Sequence, residues 1–413
     1  MNRPALVVFS SLFPSPAEPL AGIFIRERMF RVGQELPITV VAPQPWFPLQ
    51  SLLRRFKPGW RPERPRAELM QGIEVLRPRY FSVPGVFKSL DGWFMALGSL
   101  STLRGLRARG QADLIDAHFA YPDGLAASKL AQWLRVPYTV TLRGTESRHA
   151  ADAALRPRVQ QALQSASRVF SVSDSLRRIG LACGAAPERS LVVGNGVDAR
   201  VFAPADRAEA RRRLGLPPAA PVLVSVGGLV ERKGFHRVIA CLPELRRQHP
   251  ELRLLIVGGP SPEGDWSARL AAQVRELGLD DAVRFLGPLP PSEVRWALSA
   301  ADVFVLATRN EGWANVLLEA MACGLPVVTT RVGGNAEVVC RDELGIVVPF
   351  DDHPALRDAL GRALTQSWDR GAIRRYAEAN SWDSRVAVLV AEFRRVASEP
   401  GSPQPAAGRE SVA

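Results

Sequence analysis

The chain has 413 residues, of which 46% are hydrophobic and 23% are charged, so it is too long for one core of ordinary size and predicts two domains. Its net charge of +12 is uneven, because residues 1–210 carry 28 basic against 17 acidic side chains and the remainder carries 25 against 24. No run approaches the roughly 20 apolar residues of a membrane-spanning helix. The short apolar stretch at the N-terminus predicts a first core strand rather than a signal peptide.

Short apolar strands alternate with helical segments along both halves, a pattern that predicts an α/β fold with parallel sheets covered on two faces. In the first half the predicted strands are ALVVFS, ITVVAP, DLIDAH, YTVTL, RVFSVS and SLVVG. In the second half they are VLVSV, LRLLIV, VRFLG, VFVLAT, PVVTT and GIVV. The segment Phe202 to Pro221 has four prolines and the charged run RAEARRR, which is typical of a connection between domains.

The four cysteines, Cys183, Cys241, Cys323 and Cys340, show no paired spacing typical of a metal site. We interpret them as buried, reduced thiols in a cytoplasmic protein. After Ala397 the composition, EPGSPQPAAGRESVA, is too poor in apolar residues to build a core and predicts disorder.

Cations and bulky apolar residues are interleaved at two places in the basic half, from Trp46 to Trp60 and from Val86 to Gly110. This combination suits an anionic membrane surface, where cations face the headgroups and aromatic side chains enter the interface. The alternative is a loop followed by an ordinary amphipathic core helix. Nucleic acid is a weaker candidate partner, because the sequence contains no zinc finger, RNP motif or basic zipper.

A glycine turn with two cations follows the predicted strand VLVSV. Gly227 and Gly228 lead into Arg232 and Lys233, and a predicted helix begins near Phe235. Such a turn is a recurring way to hold a diphosphate, because the backbone approaches the ligand closely and the cations neutralise its charge. The alternative interpretation is an exposed basic turn.

Two glutamates eight positions apart, Glu311 and Glu319, lie on either side of a predicted helix start for which Asn315 is the predicted N-cap. Free amides at a helix start attract phosphate, and carboxylates accept hydrogen bonds from sugar hydroxyls. A carboxylate within the apolar run VLLEAMA is rare without a partner. We therefore favour a binding role over that of a solvated helix residue.

These motifs resemble those of the family-four retaining glycosyltransferases of the GT-B fold. The resemblance rests first on Glu311-Gly312, on the segment LEAMACGLPVV that begins six residues later, and on the RKG turn. It rests also on four further segments of the chain, NGVD, LLIVGGP, FLGPL and VGGNAEVV. The segments DAHFAYPDG and TLRGT are most similar to the branch that serves teichuronic acid biosynthesis. Together they cover nearly the whole chain in the expected order.

The resemblance implies two Rossmann-like domains facing across a cleft. Residues 1–203 would bind the acceptor, residues 204–381 would bind the nucleotide sugar, helix 382–397 would cross back to the first domain, and 398–413 would form the disordered tail. It also implies transfer of a sugar from a UDP- or GDP-sugar to a hydroxyl of a glycan or lipid-linked acceptor, with retained anomeric configuration. Neither a metal nor another cofactor is expected, and the enzyme would act in the cytoplasm at the inner face of the plasma membrane.

The resemblance implies roles for individual residues as well. Arg232 and Lys233 would stabilise the departing diphosphate, Glu311 would orient the donor sugar, and Glu319 would hold the ribose. His118 would contact the donor sugar near its reacting carbon. The other implied substrate contacts are Gly22, Arg143, Thr145, Gly228, Gly258, Leu286, Gly287, Gly312, Asn315 and Val316. Glu146 stands where relatives commonly have aspartate, and its role is left open.

Two other classes of function compete with this one. The same scaffold could serve a different reaction, such as that of a nucleotide-sugar epimerase or a phosphorylase. The basic half could instead serve a non-enzymatic protein that binds membrane or nucleic acid. The intact set of Arg232, Lys233, Glu311 and Glu319 argues against this last alternative.

Overall fold

The structure, a computed structural model, describes residues 3–19, 21–48, 50–56, 61–261 and 263–399. The chain divides into two compact units, which are residues 1–195 with 385–413, and residues 196–384. The predicted disordered tail lies, from residue 400 onward, outside the described residues.

Unit 1 is an α/β unit in which all six strands predicted for the first half of the chain are present. Its elements in chain order are β1 (Leu6–Phe9), α1 (Ile23–Glu35), β2 (Ile38–Val41), β3 (Gln44–Trp46), α2 (Gln50–Phe56), β4 (Ala67–Met70), β5 (Ile73–Leu76), β6 (Arg79–Phe81), α3 (Asp91–Ala108), β7 (Leu114–His118), α4 (Leu125–Leu134), β8 (Tyr138–Leu142), α5 (Glu146–Ala151), α6 (Arg156–Gln164), β9 (Arg168–Ser171), α7 (Asp174–Ala182) and β10 (Ser190–Val192).

The main sheet of unit 1 has the order β10-β9-β8-β7-β1-β2-β5-β4. Its strands pair in parallel except for β4 and β5, which pair antiparallel. Strands β3 and β6 form a separate parallel pair. The sequence pattern missed β3 to β6, because these strands are three or four residues long and only partly buried, without the continuous apolar run of a central parallel strand.

Unit 2 contains all six strands predicted for the second half. Its elements are α8 (Arg207–Arg213), β11 (Val222–Val226), α9 (Phe235–Gln248), β12 (Arg253–Val257), α10 (Ser267–Glu276), β13 (Val283–Gly287), α11 (Pro291–Ala300), β14 (Val303–Leu306), α12 (Asn315–Ala322), β15 (Val327–Thr330), α13 (Asn335–Val338), β16 (Gly345–Val348), α14 (His353–Thr365) and α15 (Arg370–Ala379). The last helix, α16 (Trp382–Ser398), begins in unit 2 and belongs to unit 1 from Arg385 onward.

Alternation along the strands of unit 2 fills a core on each face of a wholly parallel sheet of order β13-β12-β11-β14-β15-β16. In β11, Val222 and Val224 belong to one core, whereas Leu223 between them belongs to the other. Helix α12 packs in the first core and α9 in the second. The helices that follow the neighbouring strands β14 and β11 therefore lie on opposite faces of the sheet.

The strand order reverses at one point in each sheet, between β1 and β7 in unit 1 and between β11 and β14 in unit 2. Loops that leave in opposite directions open a crevice at the carboxyl ends of such strands, and ligands bind there in open α/β sheets. The motifs singled out in the sequence follow these four strands and β8 beside them. The fold thus positions two candidate sites, one in each unit.

Two further observations concern the cysteines and the membrane. Cys183, Cys241 and Cys323 are buried, but Cys340 is exposed in the connection between α13 and β16, so the expectation of four buried thiols is wrong for that residue. Within the described residues, no helix combines the length and the apolar character that crossing a membrane requires.

Candidate functional site

The basic turn of unit 2 lies directly after β11, and α9 begins at Phe235 as predicted. Gly234 has φ 77°, and a Cβ at this position would lie 1.9 Å from the carbonyl oxygen of Ala307. Only glycine therefore allows the turn to pack against the end of β14. The backbone N–H of Arg309 also donates to the carbonyl of Arg232 at 2.8 Å, which joins the two loops directly.

Glu311 lies between the two cations. Its Oε1 accepts hydrogen bonds from Lys233 Nζ at 2.6 Å, from Arg232 Nη1 at 3.1 Å and from Thr308 Oγ1 at 3.3 Å. Its Oε2 has no hydrogen-bond donor among the described residues, and the side chain retains 10% exposure. The two sequence motifs thus meet in one charged cluster, with one carboxylate oxygen still able to accept a hydrogen bond.

Glu263 is a member of this cluster that the sequence analysis missed. It accepts two hydrogen bonds from Arg232, at 2.8 Å from Nε and 2.6 Å from Nη2. These bonds, together with Glu311, raise the pKa of Arg232 above its ordinary value. A diphosphate bound by Arg232 would replace one of these carboxylates. Glu263 stands in a polar loop after LLIVGGP, and no local pattern distinguishes it from a solvated side chain.

Glu319 lies in the second turn of α12 and is partly buried. Asn315 is the first residue of that helix and Ala314 occupies the N-cap position, so the predicted N-cap is wrong by one residue. The carboxylate of Glu319 has no hydrogen bond to any described residue. Burial raises the pKa of Glu319 to about 7, although the positive charge of Lys233 acts in the opposite direction. This partly buried carboxyl group is suited to accept hydrogen bonds from hydroxyl groups.

The other predicted residues of unit 2 lie at or near the same edge of the sheet. Gly258 has φ 146°, and a Cβ there would lie 1.8 Å from the carbonyl oxygen of Gly227, so the ends of β11 and β12 approach closely. Gly228 follows β11, Leu286 and Gly287 end β13, and Gly258 N–H donates to the carbonyl of Gly287 at 2.9 Å. Gly312 and Val316, on either side of the α12 start, are partly exposed.

In unit 1, His118 ends β7 and Arg143 directly follows β8. Arg143 Nε donates to His118 Nδ1 at 3.0 Å, while His118 Nε2 lies 3.3 Å from Asp116 Oδ2. Burial, followed by the charge of Arg143, lowers the pKa of His118 to about 4. Because Nδ1 accepts a hydrogen bond, we assign a neutral imidazole with its proton on Nε2. His118 is fully buried, so its predicted contact with the donor sugar stays a prediction.

Arg143 is a buried cation whose hydrogen-bonding capacity is only partly used. Its Nη1 donates to Asn195 Oδ1 at 3.3 Å, its guanidinium lies over the ring of Phe24 at 5.1 Å, and its Nη2 is buried without a hydrogen-bond partner. Burial lowers the pKa of Arg143 well below its ordinary value. The hydroxyl of Thr145 is likewise buried without a partner. Unsatisfied buried donors are costly, so they mark the end of β8 as a polar site.

Glu146 has a structural role that the sequence left open. It is fully buried, and its Oε2 accepts from the backbone N–H groups of Arg143 at 3.0 Å and Gly144 at 2.8 Å, while Oε1 accepts from that of Ala120 at 3.0 Å. One carboxylate therefore ties the loop after β7 to the loop after β8. Glu146 positions Arg143 and, through it, His118.

The loop after β1 is held by a second buried carboxylate. Asp123 accepts hydrogen bonds from the backbone N–H and from the hydroxyl of Ser11, the latter at 3.0 Å. Burial raises the pKa of Asp123 to about 7. Gly22, at the end of the same loop, has φ 67°, and a Cβ there would lie 2.4 Å from the carbonyl oxygen of Leu12. The sequence contains Asp123 within the motif DAHFAYPDG, but its partner Ser11 could not be read from spacing.

Across the described residues, no three His, Cys, Asp or Glu side chains are grouped so that they could hold a metal ion.

Two family models match the chain, and they follow its two halves. Residues 54–201 match the model for "Glycosyltransferase Family 4", and residues 206–380 match that for "Glycosyl transferases group 1". The D-inositol 3-phosphate glycosyltransferase of Corynebacterium urealyticum is 32% identical over 354 residues, which span 81% of this chain and 83% of that protein. TuaC of Bacillus subtilis, a glycosyltransferase assigned to teichuronic acid biosynthesis, is 29% identical over 387 residues, or 92% and 90% of the two chains.

Solved structures agree with this assignment at the level of the fold. Sucrose-phosphate synthase of Thermosynechococcus elongatus superposes with a TM-score of 0.75 at 21% identity, over 96% of this chain and 99% of that one. HepE of Anabaena in complex with UDP superposes with a TM-score of 0.71 at 19% identity, over 94% and 99%. The chain is therefore a family-four glycosyltransferase of the GT-B fold, built from two Rossmann-like domains. The resemblance inferred from its motifs is confirmed.

We predict that Glu146→Gln destabilises unit 1 by about 1.5–3 kcal/mol, the usual range for hydrogen bonds to a charged group. The amide keeps only one acceptor oxygen, so its NH2 group must face a backbone N–H. Urea unfolding of the full chain measures the difference. Glu188→Gln, an exposed position of the same unit, is the matched control, and equal unfolding midpoints for the two variants would contradict the bridging role.

We further predict that Glu319→Gln becomes more stabilising as pH rises. Since the folded pKa of about 7 exceeds the ordinary 4.5, wild-type stability is present in full below pH 4.5 and falls as pH rises through 7. The variant lacks that loss, so its advantage should grow to about 3 kcal/mol at pH 8. Urea unfolding of both proteins between pH 4.5 and 8 tests this, and parallel curves would show that burial does not perturb Glu319.

Proposed function

We propose that this glycosyltransferase transfers a sugar from a UDP- or GDP-sugar to a hydroxyl group, with retention of anomeric configuration and without a metal ion. The observation that carries the proposal is the meeting of Arg232, Lys233, Glu311 and Glu319 where the strand order of unit 2 reverses. This is the crevice in which open α/β sheets bind ligands. It combines two cations with two carboxylates, one set for a diphosphate and the other for hydroxyl groups.

The cations provide the charge that the reaction needs. Transfer breaks the bond between the anomeric carbon and the diphosphate and forms a bond from that carbon to the acceptor oxygen. Negative charge grows on the leaving diphosphate, while the sugar carbon acquires oxocarbenium character. Arg232 and Lys233 would stabilise the diphosphate, and Arg232 offers the fixed bidentate geometry that suits phosphate oxygens. These two side chains would do what a bound metal ion does elsewhere.

The carboxylates would bind the two sugar rings of the donor. Oε1 of Glu311 contacts Lys233, and Oε2 has no hydrogen-bond donor among the described residues. Through Oε2, Glu311 would orient the transferred sugar. Glu319 would accept hydrogen bonds from the ribose hydroxyls. The backbone at Leu286 and Gly287 would lie against the base, and Gly228, Gly258, Gly312, Asn315 and Val316 would line the rest of the donor site.

Unit 1 would supply the acceptor site, with Arg143 and Thr145 just after β8. His118 at the end of β7 would contact the donor sugar near its reacting carbon, and Gly22 before α1 would be a further substrate contact. Relatives support a hydroxyl of a sugar or polyol as acceptor, because they are named for inositol 3-phosphate and for teichuronic acid biosynthesis. HepE supports UDP as one candidate leaving group. We propose a glycan or lipid-linked acceptor in cell-envelope polysaccharide synthesis, used on the cytoplasmic side of the membrane.

A donor screen in EDTA tests the reaction. The protein is incubated with UDP- and GDP-sugars and with sugar and polyol acceptors, and NMR determines the anomeric configuration of the product. We predict turnover in EDTA and a product whose configuration equals that of the donor. Loss of turnover in EDTA with recovery in magnesium or manganese would refute metal independence. An isomerised nucleotide sugar formed without acceptor would indicate an epimerase.

Calorimetry on variants tests the division of the donor site. Glu319→Ala should weaken both the free nucleoside diphosphate and the intact donor by about 1.5–3 kcal/mol, since both carry the ribose. Glu311→Ala should bind the nucleoside diphosphate at least as tightly as wild type, because it frees Lys233 and Arg232 from their carboxylate partner. Glu276→Ala, an exposed position in α10, is the control. Equal losses for both ligands in both variants would contradict these assignments.

A further inference from the structure

Exposed apolar side chains are concentrated in one part of unit 1. Ten of the fifteen exposed large hydrophobic residues among those described lie between positions 46 and 97. Phe56 is 77% exposed at the end of α2, and Phe87 is 63% exposed in the connection between β6 and α3. Folded chains rarely leave several large apolar groups together in water without an interaction that covers them.

Contacts join the β3–β6 pair, which carries two of these side chains, to α3 and to the pocket beside α2. Trp46 in β3 is the register partner of Phe81 in β6, and the ring of Phe81 packs edge-on against Phe94 of α3 at 5.4 Å. Trp46 also lines a pocket with residues of α2 and of the segment that follows it, among them Arg54 and Arg61. The apolar surface, defined here as Trp46, Leu52, Leu53, Phe56, Phe81, Val86 and Phe87, is therefore carried by α2, by the β3–β6 pair and by the connection that follows.

The structure also shows which residues of the segment from Val86 to Gly110 are exposed and could contact a membrane. Met95, Ala96, Leu103 and Leu106 of α3 are buried, so most of that helix serves the core of unit 1. By contrast, the only buried residue of α2 is Gln50, and its leucines and phenylalanine face solvent. Of the first segment, Lys57 and Trp60 lie outside the described residues.

Arginines border the apolar surface, and two of them keep their charge unpaired. Arg55 stands next to Phe56, and Arg79 begins β6 and lines the pocket with Trp46. Both are exposed, and neither forms a hydrogen bond or ion pair with a described residue through its side chain. From residue 50 to 90 the sequence has nine basic and three acidic side chains, so the surroundings of the patch are positive.

We propose that this apolar surface and its arginines bind an anionic lipid membrane. Aromatic and leucine side chains would enter the interface, while Arg55 and Arg79 would face lipid phosphates. A second copy of this chain fits less well, because two identical surfaces would place the same excess of positive charge against each other. The proposal does not depend on the donor chemistry, since it concerns a different surface.

Vesicle flotation without any nucleotide sugar tests the proposal. The full chain should bind vesicles that contain phosphatidylglycerol, bind pure phosphatidylcholine poorly, and dissociate when salt shortens the Debye length from about 10 Å to about 3 Å. Arg55→Ser with Arg79→Ser should lower the partition coefficient about 30-fold, on the basis of roughly 1 kcal/mol per basic residue. Arg178→Ser with Arg189→Ser changes the same charge at exposed positions of α7 and the turn before β10, and should bind like wild type.

A second pair of variants tests the apolar part. Phe56→Ser with Phe87→Ser should also lose binding, whereas Val192→Ser with Val388→Ser, which removes exposed apolar groups of unit 1 outside positions 46–97, should not. An unchanged urea unfolding midpoint in every variant shows that the chain is folded, and it keeps this test independent of the proposed function. The proposal would be overturned by equal binding to neutral vesicles or by an equal loss of binding in the control pairs. It would also be overturned if the chain forms a dimer instead of binding vesicles and the Phe56 and Phe87 substitutions abolish that dimer.

Discussion

The order of parallel strands is the constraint on which both candidate sites depend. Each sheet places its first strand in the middle, so that β1 lies beside β7 and β11 lies beside β14. Parallel strands end at the same edge, and a reversal of order sends the two following segments to opposite faces. Polar residues just after these strands therefore converge without packing over one another. The apolar side chains of the strands stabilise the sheets, while the loops after the strands carry the polar residues of the candidate sites.

Charge balance explains why the cations of the candidate site in unit 2 are so densely paired. Arg232 and Lys233 lie at the start of a helix in a partly buried place, where unpaired cations would be costly. Glu311 and Glu263 neutralise them at hydrogen-bonding distance. A diphosphate offers the same kind of oxygen ligands and more negative charge, so it can replace a carboxylate without leaving a cation unpaired. The two carboxylates thus stabilise a pair of cations that, in the proposed function, would bind the diphosphate.

Unit 1 uses buried carboxylates for a different purpose. Glu146 and Asp123 contact backbone N–H groups rather than cations, and each fixes a loop at the edge of the sheet. Because such contacts satisfy buried donors in segments without regular secondary structure, they set where Arg143 and Ser11 lie. The neutral His118 depends on this arrangement, since its low pKa arises from burial and from the neighbouring Arg143.

The sequence by itself determined twelve of the strands, the motifs around Arg232 and Glu311 and the family, because these parallel strands are short apolar runs and the motifs are local. Tertiary structure alone decided which atoms meet. Lys233 and Glu311 are 78 positions apart, Glu263 has no local signature, and Glu146 reaches three N–H groups only through the folded loops. It also decided that α3 belongs largely to the core while α2 stays exposed, since the same amphipathic pattern can face a core or a membrane until packing partners are known.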